Sequence, residues 1–133
     1  MKMERKIKRT YIVLFCIYLA AVILLCVIKT DNLPELPKSF LGIPLDKLTH
    51  FAMFLPFTIL GYGAFHPTTD GFWRKVVVLS ILLLCGCVFT FATERLQALT
   101  SYRSYELLDM AADGSGLLAG ALATLIFIAT KRK

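Results

Sequence analysis

Ten polar or glycine positions carry the chemistry this sequence can offer, and all lie in or beside apolar segments. Asp46, Lys47 and His50 open one segment; Glu94 and Gln97 close the next; Arg103, Asp109 and Asp113 lead into the last, followed by Gly116 and Gly120. Asp46 and His50 are four residues apart, as are Asp109 and Asp113, while Glu94 and Gln97 are three apart. Residues at those spacings share a face of a helix. Four residues rise about 6 Å along a helix, so the set divides into an outer layer of Asp46, Gln97 and Asp109 and a deeper layer of His50, Glu94 and Asp113. Carboxylates and an imidazole are the groups of general acid-base chemistry. The basic groups Lys47 and Arg103 suit an anion, and Arg can grip a carboxylate or phosphate in two places. The oxygens would accept a divalent cation, but one histidine makes a poor zinc set, so no metal or other cofactor is expected.

The elements that must hold these residues are membrane helices. Of the 133 residues, 57% are hydrophobic, and the excess is gathered into four blocks: 11–28, 48–65, 76–97 and 107–130. About 20 apolar residues are needed to cross roughly 30 Å of hydrocarbon, and an open sheet there would leave its edges unpaired. The expected fold is all-α, a four-transmembrane-helix bundle of one domain over 1–133, with antiparallel neighbours joined by short connections. The first block has a basic flank like a signal peptide, but Lys29-Thr30-Asp31-Asn32 carries no cleavage pattern. It reads as an uncleaved anchor helix.

Charge orients the bundle. Ten Lys and Arg residues precede helix 1, lie between helices 2 and 3, or end the chain, and only Glu4 and Asp70 accompany them. The opposite side has five basic residues and seven acids, which together with the first set makes the net charge of +6. Basic loops stay in the cytoplasm. Both termini are therefore expected there, in a multi-pass protein of the cell membrane, with Trp73 at the inner interface and Tyr102 and Tyr105 at the outer one. The charge suits membrane lipids, and no basic-aromatic patch speaks for nucleic acid. Cys16, Cys26, Cys85 and Cys87 fall within the spans and read as small packing residues.

Ionisable groups inside spans are expensive and usually face the protein interior or water. Helix 4 gives a reason to expect the interior. Its Asp109/Asp113 face continues into Gly116, Gly120 and Ala123, and Gly116-x-x-x-Gly120 is a small-residue stripe of the kind that lets helices approach closely. Bland readings stand beside the functional ones. Asp46 follows Pro44 and suits an N-cap, and Asp109 suits the first turn of helix 4. Glu94, near a helix carboxyl end, is disfavoured by the dipole and calls for a partner among Arg103, Lys47 and His50. Arg95 and Glu106 belong to the wet rim, and His66 to a solvated inner loop.

At these residues the chain resembles the VanZ-like membrane proteins, a family associated with teicoplanin resistance. The resemblance rests on Asp46-Lys47-x-x-His50-Phe51, Glu94-x-x-Gln97, Arg103 with Asp109 six residues on, and Gly116, and covers about residues 46–120. Where the family usually has Asn, this chain has Asp113. The resemblance implies a cell-envelope role. Four uses of the polar cluster stand open: a site for an envelope lipid, wall precursor or glycopeptide; an enzyme acting on a lipid headgroup; a structural network between helices; or a proton-coupled transporter, for which four helices are few and no inverted repeat is visible. No catalytic residue is singled out.

Overall fold

A computed structural model describes residues 2–28, 38–66, 71–100 and 106–131. It contains four helices, α1 (Lys2–Val27), α2 (Leu45–Phe65), α3 (Phe72–Leu99) and α4 (Leu107–Thr130). Before α2 stands a small antiparallel hairpin, β1 (Ser39–Phe40) and β2 (Ile43–Pro44). Each helix is long and apolar enough to cross a membrane; even α2, with 21 residues, reaches about 32 Å at 1.5 Å per residue. The fold is an all-α four-helix bundle. Three helices begin earlier than the apolar blocks do, at Lys2, Leu45 and Phe72. Lys, Arg and Glu are good helix formers, so charged turns prolong a helix beyond its apolar stretch.

Pro44, at the extended N-cap position of α2, ends the hairpin strand and starts the helix. Asp46 is therefore not the N-cap; it lies in the first turn of α2. The hairpin turns at Leu41 and Gly42, with φ of 52° and 79°. Two consecutive positive φ values are what a two-residue type I′ turn demands. Leucine in place of the usual Asn or Asp hides that turn from a sequence reading.

Sequence neighbours α1 and α2 run antiparallel. Tyr11 lies beside Gly63, the Phe15 ring meets Phe57 edge-on at 5.4 Å, and the Tyr18 hydroxyl donates to the Met53 carbonyl oxygen at 2.6 Å. Tyr18→Phe is expected to lower stability by roughly 0.5–1 kcal/mol, readable as a small loss in reversible unfolding from mixed micelles. These contacts feed a core of Phe15, Val22, Cys26, Phe54, Phe57, Ala64 and Leu117. Cys26 packs inside as expected of a small apolar residue, whereas Cys16, Cys85 and Cys87 face outward.

The most extensive packing joins α2 to α4, which are not neighbours in sequence and run parallel. Going along both helices, Asp109 meets Lys47, Asp113 meets His50, Gly116 meets Phe51 and Gly120 meets Leu55. A Cβ on Gly116 would collide with the Phe51 carbonyl oxygen and sit 3.2 Å from the Leu55 nitrogen; one on Gly120 would collide with the Leu55 carbonyl oxygen. Bare glycine backbone lets the two helices touch. Between α2 and α3 stand larger side chains, Leu82 against Gly61 and Phe89 against Phe54 and Phe57. Sequence neighbours do pack side by side, as short connections favour, but the closest packing falls to this non-sequential pair, α2 and α4. The stripe also turns off its expected course: Ala123 is exposed, and Thr124, four residues after Gly120, is buried instead.

Candidate carboxylate–histidine site

The register between α2 and α4 places the polar residues. Because Gly116 sits on the backbone of Phe51, the turns preceding it carry Asp113 and Asp109 to the level of His50 and Lys47. α3 runs the other way and delivers Glu94 near its carboxyl end. The result is a cluster at the end of the bundle opposite the N-terminus, formed by the start of α2, the end of α3 and the start of α4. His50, Glu94, Gln97, Asp109 and Asp113 are buried there, and Asp113 and Glu94 are almost wholly enclosed. Asp46 and Glu106 remain half exposed and form the rim.

His50 is the centre. Its Nδ1 is 2.8 Å from Asp113 Oδ1 and 3.8 Å from Glu94 Oε1. Its Nε2 is 3.6 Å from Asp109 Oδ2 and 4.0 Å from Asp46 Oδ1. One imidazole thus spans the deeper carboxylates and the outer ones. The Nδ1 contact to Asp113 is a hydrogen bond, while the Nε2 contacts exceed hydrogen-bond length and would need a bridging group.

Lys47 has a different place from the one its sequence position suggested. Its ammonium bonds Asp109 Oδ1, reaches Glu106 Oε2 at 2.5 Å and lies 3.4 Å from Asp46 Oδ2. Three carboxylates already occupy it, so it locks the first turns of α2 and α4 together rather than waiting for an anion. Glu106, assigned to the rim, is the exposed member of this lock. Arg103 lies outside the described residues. Arg95 is exposed at the rim, its guanidinium 5.0 Å from the Phe91 ring centre.

Gln97 is buried one turn beyond Glu94 on α3, and Thr90 and Thr93 are buried on the other side of it. Tyr18 and Thr58 are among the polar residues that went unremarked in the sequence. Tyr18 bonds the α2 backbone, and Thr58 is fully buried beside Gly120. Each is a lone polar residue in an apolar run, with no spacing partner to draw notice. In the other half of the bundle, a cavity of about 440 Å³ is lined by Tyr11, Tyr62, Gly63, His66, Thr124 and Phe127, among others. His66, expected to be merely solvated, turns its Nδ1 to the Gly63 carbonyl oxygen at 3.1 Å and forms part of that wall.

Chemically, the cluster can accept hydrogen bonds, exchange protons or hold a cation. Among the described residues, two sets of atoms are close enough to grip one ion: His50 with Asp46 and Asp109, and His50 with Glu94 and Asp113. Compared with protein-family models, with curated proteins and with solved structures, the chain matches none.

Proposed function

We propose that the chain is a VanZ-like membrane protein whose carboxylate–histidine cluster is a binding site for a cell-envelope component: a lipid headgroup, a wall precursor or a glycopeptide. In this reading both termini are cytoplasmic, as the basic flanks favour, and the cluster opens at the extracytoplasmic face. One observation carries the proposal. His50, Glu94, Asp109 and Asp113, from three helices, are buried together at one end of the bundle, with Asp46 and Glu106 leading from them to the surface. Hydrogen bonds between membrane helices average about 0.6 kcal/mol. That is a small return for enclosing so many acids, so stability alone is a poor reason to keep them.

The rim is acidic, and Lys47 is already paired. The site therefore suits a ligand presenting an amine or hydroxyl donors to Asp46, Glu106 and Asp109. An anionic part of such a ligand would fall to Arg103. Competition with labelled lipids and a labelled glycopeptide on the purified protein tests this. Asp109→Asn is expected to weaken binding about tenfold or more. Retention of no envelope component above the detergent background would overturn the proposal, and unchanged binding by Arg103→Ala would remove that residue's part.

A second reading, an enzyme acting on a headgroup, is favoured by the carboxylates on both sides of His50, an arrangement that can take up and pass on a proton. Headgroup conversion in reconstituted vesicles, lost in His50→Gln, is its expected result. No turnover over a broad lipid panel would set it aside.

A further inference from the structure

The His50 ring presents a problem of counting protons. A neutral imidazole has one N–H and one lone pair, yet both of its nitrogens face carboxylate oxygens: Nδ1 faces Asp113 and Glu94, and Nε2 faces Asp109 and Asp46. A lone pair pointed at carboxylates is repelled, so a proton or a metal cation belongs between the ring and the carboxylates on one side. A separate observation says which side. Asp113 is fully buried, and its Oδ2 accepts no hydrogen bond from any described residue, although buried polar atoms nearly always have a partner. Thr90, one turn from Glu94 on α3, likewise has a buried hydroxyl whose oxygen makes no hydrogen bond among the described residues.

We propose that His50 Nδ1, Glu94 and Asp113 bind a divalent transition-metal ion between α2, α3 and α4. The three ligand atoms lie within 4.8 Å of one another, with Nδ1 2.8 Å from Asp113 and 3.8 Å from Glu94. Nitrogen and oxygen ligands about 2.1 Å from an ion stand about 3–3.5 Å apart along a coordination edge. The two edges at His50 are near that spacing, and the Glu94 and Asp113 carboxylates need only side-chain adjustment to close the third. A dication between the two carboxylates would also give the buried Asp113 Oδ2 a partner. The second nitrogen is then settled as well. With the metal on Nδ1, Nε2 carries the proton and points it toward Asp109 Oδ2, 3.6 Å away, where a small closure or a bridging group would complete the carboxylate–histidine–metal arrangement that orients metal-bound imidazoles.

One imidazole with two carboxylates suits Mn2+ or Zn2+ better than Mg2+ or Ca2+, which favour oxygen alone. The outer trio of Asp46, His50 and Asp109 is the weaker candidate: the Lys47 ammonium already bonds Asp109, and Asp46 is more than half exposed. The metal site shares His50, Glu94 and Asp113 with the cluster of the envelope-ligand reading but does not depend on that reading, and its test contains no lipid or antibiotic ligand.

Full-length protein in detergent, stripped with chelator, is titrated with Mn2+ and with Zn2+ and its bound metal counted after gel filtration. About one ion per chain is expected, with a rise in melting temperature on binding. Asp113→Asn, which keeps the side chain's shape and an oxygen for His50, is expected to weaken binding at least about 100-fold. His50→Gln should do the same, while Asp46→Asn should leave binding unchanged. Binding of neither ion would overturn the proposal and leave the charge on His50 to a proton. So would binding that Asp46→Asn abolishes and Asp113→Asn spares, which puts the ion on the outer trio.

Discussion

Gly116→Val is expected to leave little folded, monodisperse protein. The Cβ of any residue at 116 would collide with the Phe51 carbonyl oxygen and press on the Leu55 nitrogen. Both are backbone atoms inside α2, so no rotamer change relieves the contact; α2 and α4 must separate. Overpacking typically costs about 1–3 kcal/mol where side chains can yield, and here the cost should reach or exceed the top of that range. Separation would also pull Asp113 from His50 and Asp109 from Lys47, since the same register sets all four residues. Gly114→Val is the control. It lies on the same helix, two residues away, with nothing within 4 Å of an added Cβ, and should cost little, since valine is a better helix former than the glycine it replaces. Gel-filtration profiles and melting temperatures of the two variants, side by side, check the prediction. Equal behaviour would mean that the glycine stripe does not set the spacing of α2 and α4.

The second large effect is expected at Lys47. Lys47→Met keeps the length of the side chain but strips Asp109 of its ammonium while the carboxylate stays largely buried. Removing one partner of a buried ion pair typically costs about 3–5 kcal/mol. The lower end applies here, because Lys47 is 19% exposed and its other partners, Asp46 and Glu106, are half in solvent. Adding Asp109→Asn removes the stranded charge and should return much of the lost stability. A double-mutant cycle reads that recovery as a coupling energy of about 1–3 kcal/mol. No coupling would mean that Lys47 is not the lock between the first turns of α2 and α4.

The architecture was legible because a membrane helix needs only length and apolarity, and four blocks had both. Helix ends were less so, since the charged turns before Tyr11 and Val76 continue the helix in contact with water. Within the polar cluster, the four-residue spacings rightly put Asp46 beside His50 and Asp109 beside Asp113 on shared faces, because helical periodicity is a local property. What those faces meet is not local. Whether Lys47 serves a ligand or Asp109 depends on the α2–α4 register, and that register depends on Gly116 seating against the Phe51 backbone. The glycine stripe hinted at a close approach but did not name the partner helix, and short connections speak only for sequence neighbours, which do pack side by side, and not for the α2–α4 pair. The hairpin was hidden by Leu41, which takes a conformation better suited to Asn or Gly.

The central claim is that the buried charges at this site are kept for what they bind, at a cost to folding. Asp113 tests it most directly, being fully enclosed with one oxygen on His50 and the other accepting no hydrogen bond from a described residue. The measurement is the melting temperature of Asp113→Asn against the wild type, both in detergent with chelator present, so that no bound ion contributes. Asparagine keeps the shape and a hydrogen bond to the ring while removing a buried negative charge. The account predicts an unchanged or raised melting temperature. A fall of several degrees would contradict it, and would make the His50–Asp113 pair part of what holds the bundle together.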